Sequence, residues 1–555
     1  LQPSVESQAL LKLIRFTPPP AQGFQPDRKT RARLTISFVG RAEEYQGLLD
    51  VFRLARNGKT QVALISGESG IGKTRLAEEF LQWATSEGVD VLRGRAFRSS
   101  GHLPYQPVID ALRERLECEN APEDLLADPW LVELSRILPE LRERYPDLPL
   151  NSDDDPAALA RLFEAIARLV EALSARRPLV WLMDDLQWAD TATLDLLHYL
   201  SRHWQKSCPP LLLLILLRTE ALGHGSLFRD WLPGLERELP VTRFRLSLLN
   251  VEEMRQLVFL LAGENASGGS DLSTWLINET AGQPFVLSET LAALDENSIL
   301  AWREEPSARS LDPRATLENM RAKGPQPPSL AMRDVVLSRL EGLSQPAKLI
   351  LAASAVIGRR CSYHRLREVS GTGVEESLDA LDELLSTHML LEDRSENLSY
   401  IVAHDHISVV VYAQLSQARR QVYHRRMLTV LLESGAPAAD LAHHALSAGD
   451  WKSGFAFSVE AGEDAMHLYA VASAAQHFEV ARTLIQEYQL MVDTPTCQQL
   501  YIRLGKAYEL GLQPKKALAV YEEMLAQAAA RGSQEMQIAA LDVLRPPLSP
   551  VDTQD

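Results

Sequence analysis

The sequence predicts an α/β domain with a parallel sheet covered by helices on both faces, followed by a long and nearly all-helical region. Three observations predict it. Continuous apolar runs at residues 61–66 (QVALIS), 179–183 (LVWLM) and 211–217 (LLLLILL) suit strands buried on both faces. Stretches with helical periodicity, 73–84 and 156–175, lie between them. Beyond about Pro233 the apolar spacing is helical almost to the end.

The totals are compatible with this. The chain has 555 residues, of which 46% are hydrophobic, 24% charged and 6% aromatic. That is too long for one core and suggests about three to five domains. A formal net charge of -17 repels nucleic-acid phosphates and anionic lipid, which argues against bulk DNA binding by this segment. Cys118, Cys208, Cys361 and Cys497 lie far apart without a CxxC pair, and read as separate thiols in a reducing cytosol with no zinc site. The longest apolar run, 211–217, is far short of the ~20 residues a membrane helix needs, and no stretch of the given sequence reads as a signal peptide. The expectation is a cytoplasmic protein without membrane contact. The chain starts at Leu1 rather than Met and stops at Asp555 without a clear ending, which reads as a piece of something longer.

Residues 1–35 open with an apolar stretch, SQALLKLIRF, read as the last helix of an upstream unit. A Pro-rich polar linker follows. Residues 36–235 hold the α/β pattern, with a further strand at 89–92. Residues 236–325 contain expected helices at 250–262 and 272–294, then a loop at 304–328 rich in Pro and charge. Residues 326–412 carry helical segments and a short strand-like end, LSYIVAHD. Residues 413–555 read as helix pairs. Tyr501, Leu504, Gly505, Tyr508, Ala517 and Tyr521 fall at tetratricopeptide-repeat spacings. Gly462, Ala474, Phe478 and Ala481 form a weaker copy displaced by 43 residues, with the surplus in a loop at 492–496. Unrelated amphipathic helices are the alternative.

The strand at 61–66 runs into GESGIGKT, which fits G-x-x-x-x-G-K-[ST] and opens a helix. This is a P-loop: Gly67, Glu68, Ser69, Gly70, Ile71, Gly72, Lys73 and Thr74, with Arg75 next. The glycines allow tight turns and close approach of backbone to phosphate. Amides at the helix start, helped by its dipole, point at the anion. Lys73 is placed for the β- and γ-phosphates and the Thr74 hydroxyl for Mg²⁺. The strand at 179–183 ends in Asp184-Asp185, a Walker B pattern. Asp184 is expected to hold Mg²⁺ through its water shell, and Asp185 to orient or deprotonate the attacking water. Arg218, at the tip of the strand at 211–217, could touch the γ-phosphate. A surface Arg closing a strand is the other reading. ATP or ADP with Mg²⁺ is the implied ligand set.

Together these residues resemble the STAND family of signal-transducing P-loop ATPases, related to AAA+ and NB-ARC proteins, over residues 36 to about 450. Phe38-Val39-Gly40-Arg41 resembles the segment that lines the adenine pocket in that family, which implicates Val39, Gly40 and Arg41. Asp184-Asp185 followed by Gln187-Trp188-Ala189-Asp190 resembles the Walker B region of MalT-like and adenylate-cyclase-associated members. Ala281-Gly282-Gln283-Pro284-Phe285 resembles the GxP motif, whose Pro packs on the base. That would give a kinked helix a purpose, although an ordinary helix–helix turn is also consistent. Residues 330–412 resemble the winged-helix domain that follows. Ala403-His404-Asp405 resembles the MHD motif, whose His contacts the ADP β-phosphate. Ala stands in place of Met, and His406 adds a second candidate. Residues 3–16 loosely resemble the end of a bacterial transcriptional activation domain (BTAD/SARP type).

The resemblance implies a slow ATPase used as a switch, closed with ADP and open with ATP, in a bacterial transcriptional regulator. An inducer or protein partner would act at the helical repeats, with ATP-dependent self-association. DNA would be met only through a domain outside this chain. A regulatory ATPase module of a signalling enzyme, such as a class III nucleotide cyclase, is the alternative. A processive AAA+ motor and a bare scaffold are the remaining rivals; no clear arginine finger supports the motor.

Overall fold

A computed structural model describes residues 38–97, 104–117, 126–149, 158–223, 227–262, 268–296, 299–304, 309–323, 332–358, 360–393, 399–488 and 490–544. All fall within the compact unit Ser37–Asp555. The expected upstream helix and linker, residues 1–35, lie outside them.

The first helix, α1 (Ala42–Arg56), leads into β1 (Gln61–Gly67), the P-loop and α2 (Lys73–Ser86). Next come β2 (Asp90–Arg95), α3 (Gln106–Glu117), α4 (Asp128–Leu134), α5 (Glu140–Arg144) and α6 (Ala158–Arg176). Then β3 (Leu179–Asp184), α7 (Thr191–Ser207), β4 (Leu211–Arg218), α8 (Leu227–Glu238) and β5 (Val241–Arg245) complete the α/β part. The five strands form one parallel sheet in the order β2-β3-β4-β1-β5.

Alternation explains the unbroken leucines of β4. Leu212, Leu214 and Leu216 pack with Leu48, Phe52, Leu76 and Phe80 of α1 and α2. Leu211, Leu213, Ile215 and Leu217 face the other way, toward α3, α6, α7 and α8. A strand buried on both faces needs no polar alternation. Each fully buried Leu contributes roughly 1.5–3 kcal/mol.

Register carries this packing to function. Gly67 of β1 pairs with Arg218 of β4, and Asp184 of β3 with Arg95 of β2. Four strand ends therefore bring the P-loop, an acid and two cations to one carboxyl edge, where open α/β sheets bind ligands.

The chain continues as α9 (Val251–Ala262), α10 (Gly269–Thr280) and α11 (Pro284–Glu296). The single helix expected over 272–294 is two helices. Ala281 and Gly282 have φ of 51° and 73°, left-handed values that end α10 and re-aim the chain. The loop expected over 304–328 is also corrected. A hairpin, β6 (Trp302–Glu304) and β7 (Arg309–Leu311), is followed by α12 (Pro313–Lys323). Pro313 at the first helical position starts this helix rather than excluding one.

Then α13 (Met332–Gly342), α14 (Gln345–Ile357), β8 (Cys361–Ser362), α15 (Tyr363–Ser370) and α16 (Val374–Ser386) precede β9 (Leu390–Asp393) and β10 (Ser399–Val402). These strands form a small antiparallel sheet, β8-β10-β9. Eight helices close the described chain: α17 (Asp405–Gln414), α18 (Gln417–Glu433), α19 (Ala438–Ala448), α20 (Trp451–His467), α21 (Val471–Glu487), α22 (Thr494–Leu510), α23 (Pro514–Arg531) and α24 (Gln534–Leu544). Small residues set the approach of paired helices: a Cβ at Gly505 would overlap the Tyr521 ring, and one at Gly462 the Phe478 ring. Phe478, Tyr501 and Tyr521 belong to the same apolar core as the back of the α/β sheet. Among the described residues Cys208, Cys361 and Cys497 are free thiols, and no helix is long and apolar enough to cross a membrane.

Candidate functional site

The P-loop takes its shape from glycine. Gly70 and Gly72 have φ of 77° and 97°, and a Cβ at Gly67 would press to 2.7 Å from Ile71 Cγ2. α2 begins at Lys73, so its first amides face the concave turn. The Lys73 side chain is buried, and its Nζ donates to the Gly67 and Glu68 carbonyls at 2.9 and 2.8 Å. Burial lowers the Lys73 pKa; Asp185 opposes this, and Arg218 reinforces it. Glu68 is exposed, and Arg75 points outward to an ion pair with Glu79 at 3.5 Å.

The Thr74 hydroxyl lies 3.4 and 3.5 Å from the two carboxylate oxygens of Asp184, 110 residues away. One hydroxyl and one carboxylate converging beside a P-loop form a hard-oxygen donor set, which fits Mg²⁺.

Asp185 sits next to this pair in a left-handed conformation, φ 52°. Three partners hold it. Gln187 Nε2 donates to Oδ1 at 2.7 Å, Arg95 approaches Oδ2 at 3.3 Å, and Arg218 Nε lies 3.7 Å from Oδ1. Burial pushes the Asp185 carboxyl up, but Arg95, the Gln187 hydrogen bond, Arg218 and Lys73 outweigh it and hold it below its ordinary value. A carboxylate this acidic is a weak base; it is better suited to orienting a water than to deprotonating one. Gln187 also accepts from the Arg218 amide at 3.2 Å, tying the β3 and β4 tips together.

The segment before α1 braces the loop from below. Val39 and Gly40 are half-buried. The Arg41 guanidinium donates to the carbonyls of Ile71, at 3.4 Å, and Ser247, while its amide donates to Glu253 Oε1 at 3.1 Å. Arg41 thus joins the P-loop to the segment after β5.

The 281–285 turn docks on the P-loop from the other side. The Phe285 amide donates to the Gly70 carbonyl at 3.1 Å, and Gln283 Nε2 to the Ser69 carbonyl at 3.3 Å. Pro284, expected to meet the base, is the half-buried first residue of α11; its two neighbours make these loop contacts. His404 packs edge-on to Phe285 at 4.8 Å between ring centres, and His406 tilts against it at 5.5 Å. His406 is the more buried of the two. Its Nε2 is buried without a hydrogen-bond partner, and burial, with help from Arg218, His404 and Lys73 against Asp185, pushes its pKa down to about 4.

The structure therefore brings Gly67 to Thr74, Asp184, Asp185 and Arg218 together at one sheet edge. It adds Arg95, Gln187, Gln283 and Phe285, to which the sequence reading gave no role. Arg95 had one usable signal, a cation at the tip of a strand in a parallel sheet.

Comparison with protein families agrees at the level of the domain. A family model described as an AAA ATPase domain matches residues 37–215. An uncharacterized protein of Rhizobium meliloti (strain 1021) is 25% identical over 507 residues, covering 86% of this chain and 46% of the relative. The chain thus spans about half the length of that curated relative. Among solved structures, a STAND protein with a tetratricopeptide repeat sensor from Pyrococcus horikoshii is 16% identical, covers 93% of this chain and 68% of its own, and has a TM-score of 0.47. A Walker-type ATPase of Pyrococcus abyssi is 15% identical, covers 67% and 96%, and has a TM-score of 0.31.

Proposed function

We propose that this chain is an ATP-binding and ATP-hydrolysing switch, closed around ADP and opened by ATP, in a bacterial transcriptional regulator. The observation that carries it is the docking of two later parts of the chain on the P-loop. Phe285 bonds the Gly70 carbonyl, and His404 and His406 pack on Phe285. A nucleotide whose γ-phosphate disturbs those contacts would shift the population between docked and released arrangements.

On this reading residues 36–235 are the nucleotide domain and 236–325 a helical lid. Residues 326–412 form a winged helix, supported by the β8-β10-β9 sheet with its helices. Residues 413–555 are tetratricopeptide-like repeats that receive an inducer or protein, supported by the Gly505–Tyr521 and Gly462–Phe478 approaches. Residues 1–35 end an upstream activation domain, and DNA is met outside this chain. Val39, Gly40, Arg41, Pro284 and His404 border the nucleotide. Backbone amides of the P-loop and Lys73 hold its phosphates, and Thr74 and Asp184 hold Mg²⁺. Bound there, Mg²⁺ neutralises phosphate charge. Asp185 orients the attacking water, and Arg218 faces the γ-phosphate from the β4 tip. The cyclase-module alternative uses the same site and differs only in the output domain.

The test is oligomeric state and protease sensitivity with ADP, ATP and no nucleotide. ATP should open the 281–285 and 404–406 contacts to cleavage and promote self-association, and Lys73→Ala should abolish both effects. A chain that binds ATP with no change in either property would overturn the switch.

A further inference from the structure

Away from the nucleotide site, three imidazoles meet where α18 turns back along α19. His424 comes from α18, and His443 and His444 are successive residues of α19. His424 and His444 are buried and His443 is half-buried. One ring nitrogen from each lies within 4.8 Å of the other two. The ring centres are 5.0 Å apart for His424–His444, 5.1 Å for His443–His444 and 5.7 Å for His424–His443. Three histidines on a tetrahedral ion with Zn–N bonds of about 2.0–2.1 Å have ring centres about 5 Å apart.

We propose that His424, His443 and His444 form a binding site for a divalent transition-metal ion of the zinc class. Hydrogen bonding supports the assignment. His424 Nε2 is 3.1 Å from the Tyr412 hydroxyl, and His424 Nδ1 faces His444 Nδ1 at 2.9 Å. If Nε2–H donates to Tyr412, the Nδ1 lone pair is left for a ligand, the orienting arrangement that metal-bound imidazoles use. Only one of the two facing Nδ1 atoms can carry a proton; a cation instead uses both lone pairs. Burial, reinforced by neighbouring imidazoles, keeps the rings of His424 and His444 neutral at neutral pH, the form that binds metal. Imidazole nitrogens select zinc-like ions over Mg²⁺, so this site is chemically distinct from Thr74 and Asp184.

The position gives the ion a mechanical role. Tyr412 lies on α17, the helix that also carries His406, while His443 and His444 lie on α19, among the helices from residue 413 onward. A bound ion would brace α17, α18 and α19 at the joint between the small sheet and the repeats.

The experiment is equilibrium dialysis of the untagged, chelator-stripped chain against micromolar Zn²⁺ with excess Mg²⁺ to fill oxygen sites, followed by metal analysis. One zinc per chain is expected. Co²⁺ in its place should give the visible bands of tetrahedral coordination. His443→Ala, the mildest change because the ring is half-buried, should remove the ion while nucleotide binding stays intact. Tyr412→Phe should weaken zinc binding about 10–100-fold. No stoichiometric uptake, or uptake unchanged in a folded His443→Ala chain, would overturn the site.

Discussion

The backbone amide of Phe285 donates to the carbonyl of Gly70 at 3.1 Å, so the first turn of α11 is hydrogen-bonded to the middle of the P-loop. The turn that aims this amide depends on Gly282. Its φ is 73°, its carbonyl accepts from the Leu249 amide at 2.8 Å, and a Cβ there would collide with the Leu249 carbonyl. The geometry of the P-loop and the position of α11 are thereby one structural variable.

Gly282→Ala should release the lid without touching a phosphate-binding group. The left-handed backbone and the Leu249 overlap together are expected to cost about 1–3 kcal/mol. Hydrogen exchange at residues 281–290 should rise in the nucleotide-free chain, while exchange in β1 and β4 stays unchanged. Equal protection in variant and parent would refute a closure that depends on this turn.

Lid closure should also weaken with acid through His406. Its pKa is held near 4 in the docked arrangement, against about 6.5 for a free imidazole. Between those values the released state binds more protons, so the contribution to closure is complete above about 6.5 and is lost as pH falls toward 4. Arg218, His404 and Lys73 disfavour the charged ring, and Asp185 favours it. Protease sensitivity of the docked segments should rise over that window in the parent and be nearly flat there in His406→Gln. A parallel rise in both chains would assign the effect to other groups.

Asp185→Asn separates binding from turnover. Asparagine keeps the size and can still accept from Gln187, but loses the charge facing Arg95 and Arg218. ATP turnover should fall about 10²-fold or more with nucleotide affinity little changed. Because the carboxyl is held below its ordinary value, the parent rate should show no acidic limb from Asp185 near neutral pH. An Asp185→Asn chain that hydrolyses ATP at the parent rate would remove this residue from the chemistry.

The local part of this site was legible because its signals are contiguous. GESGIGKT and the apolar strand before Asp184-Asp185 carry their geometry within a few residues, and β1, β3 and β4 begin at or within a residue of the expected positions. What escaped depends on distant partners. β5 reads VTRFR and is half-exposed at the sheet edge, so it has no buried run to find. Arg95 reaches Asp185 across 90 residues of sequence, and Phe285 reaches Gly70 across 215. The three-histidine cluster joins an ordinary HH pair to a residue 20 positions earlier, and only the α18–α19 turn makes them neighbours. The break in the 272–294 helix was written in Ala281-Gly282, but the same two residues also suit a kink.

A last prediction concerns how α11 is held to α13. Glu289 of α11 and Arg339 of α13 form an ion pair with both side chains 6% exposed, and Arg339 also donates to the Thr387 carbonyl. Glu289→Ala strands a buried guanidinium and is expected to cost about 3–5 kcal/mol. Replacing both residues with methionine removes the stranded charge and should recover most of that loss, because the attraction within such a pair is largely offset by desolvation. The readout is the first thermal transition, which should drop by several degrees in Glu289→Ala and return in the double variant. If the double variant is as unstable as the single, the pair contributes specific geometry at the α11–α13 contact rather than mere charge balance. If Glu289→Ala leaves the transition in place, the lid and the small-sheet unit do not depend on this contact for their association.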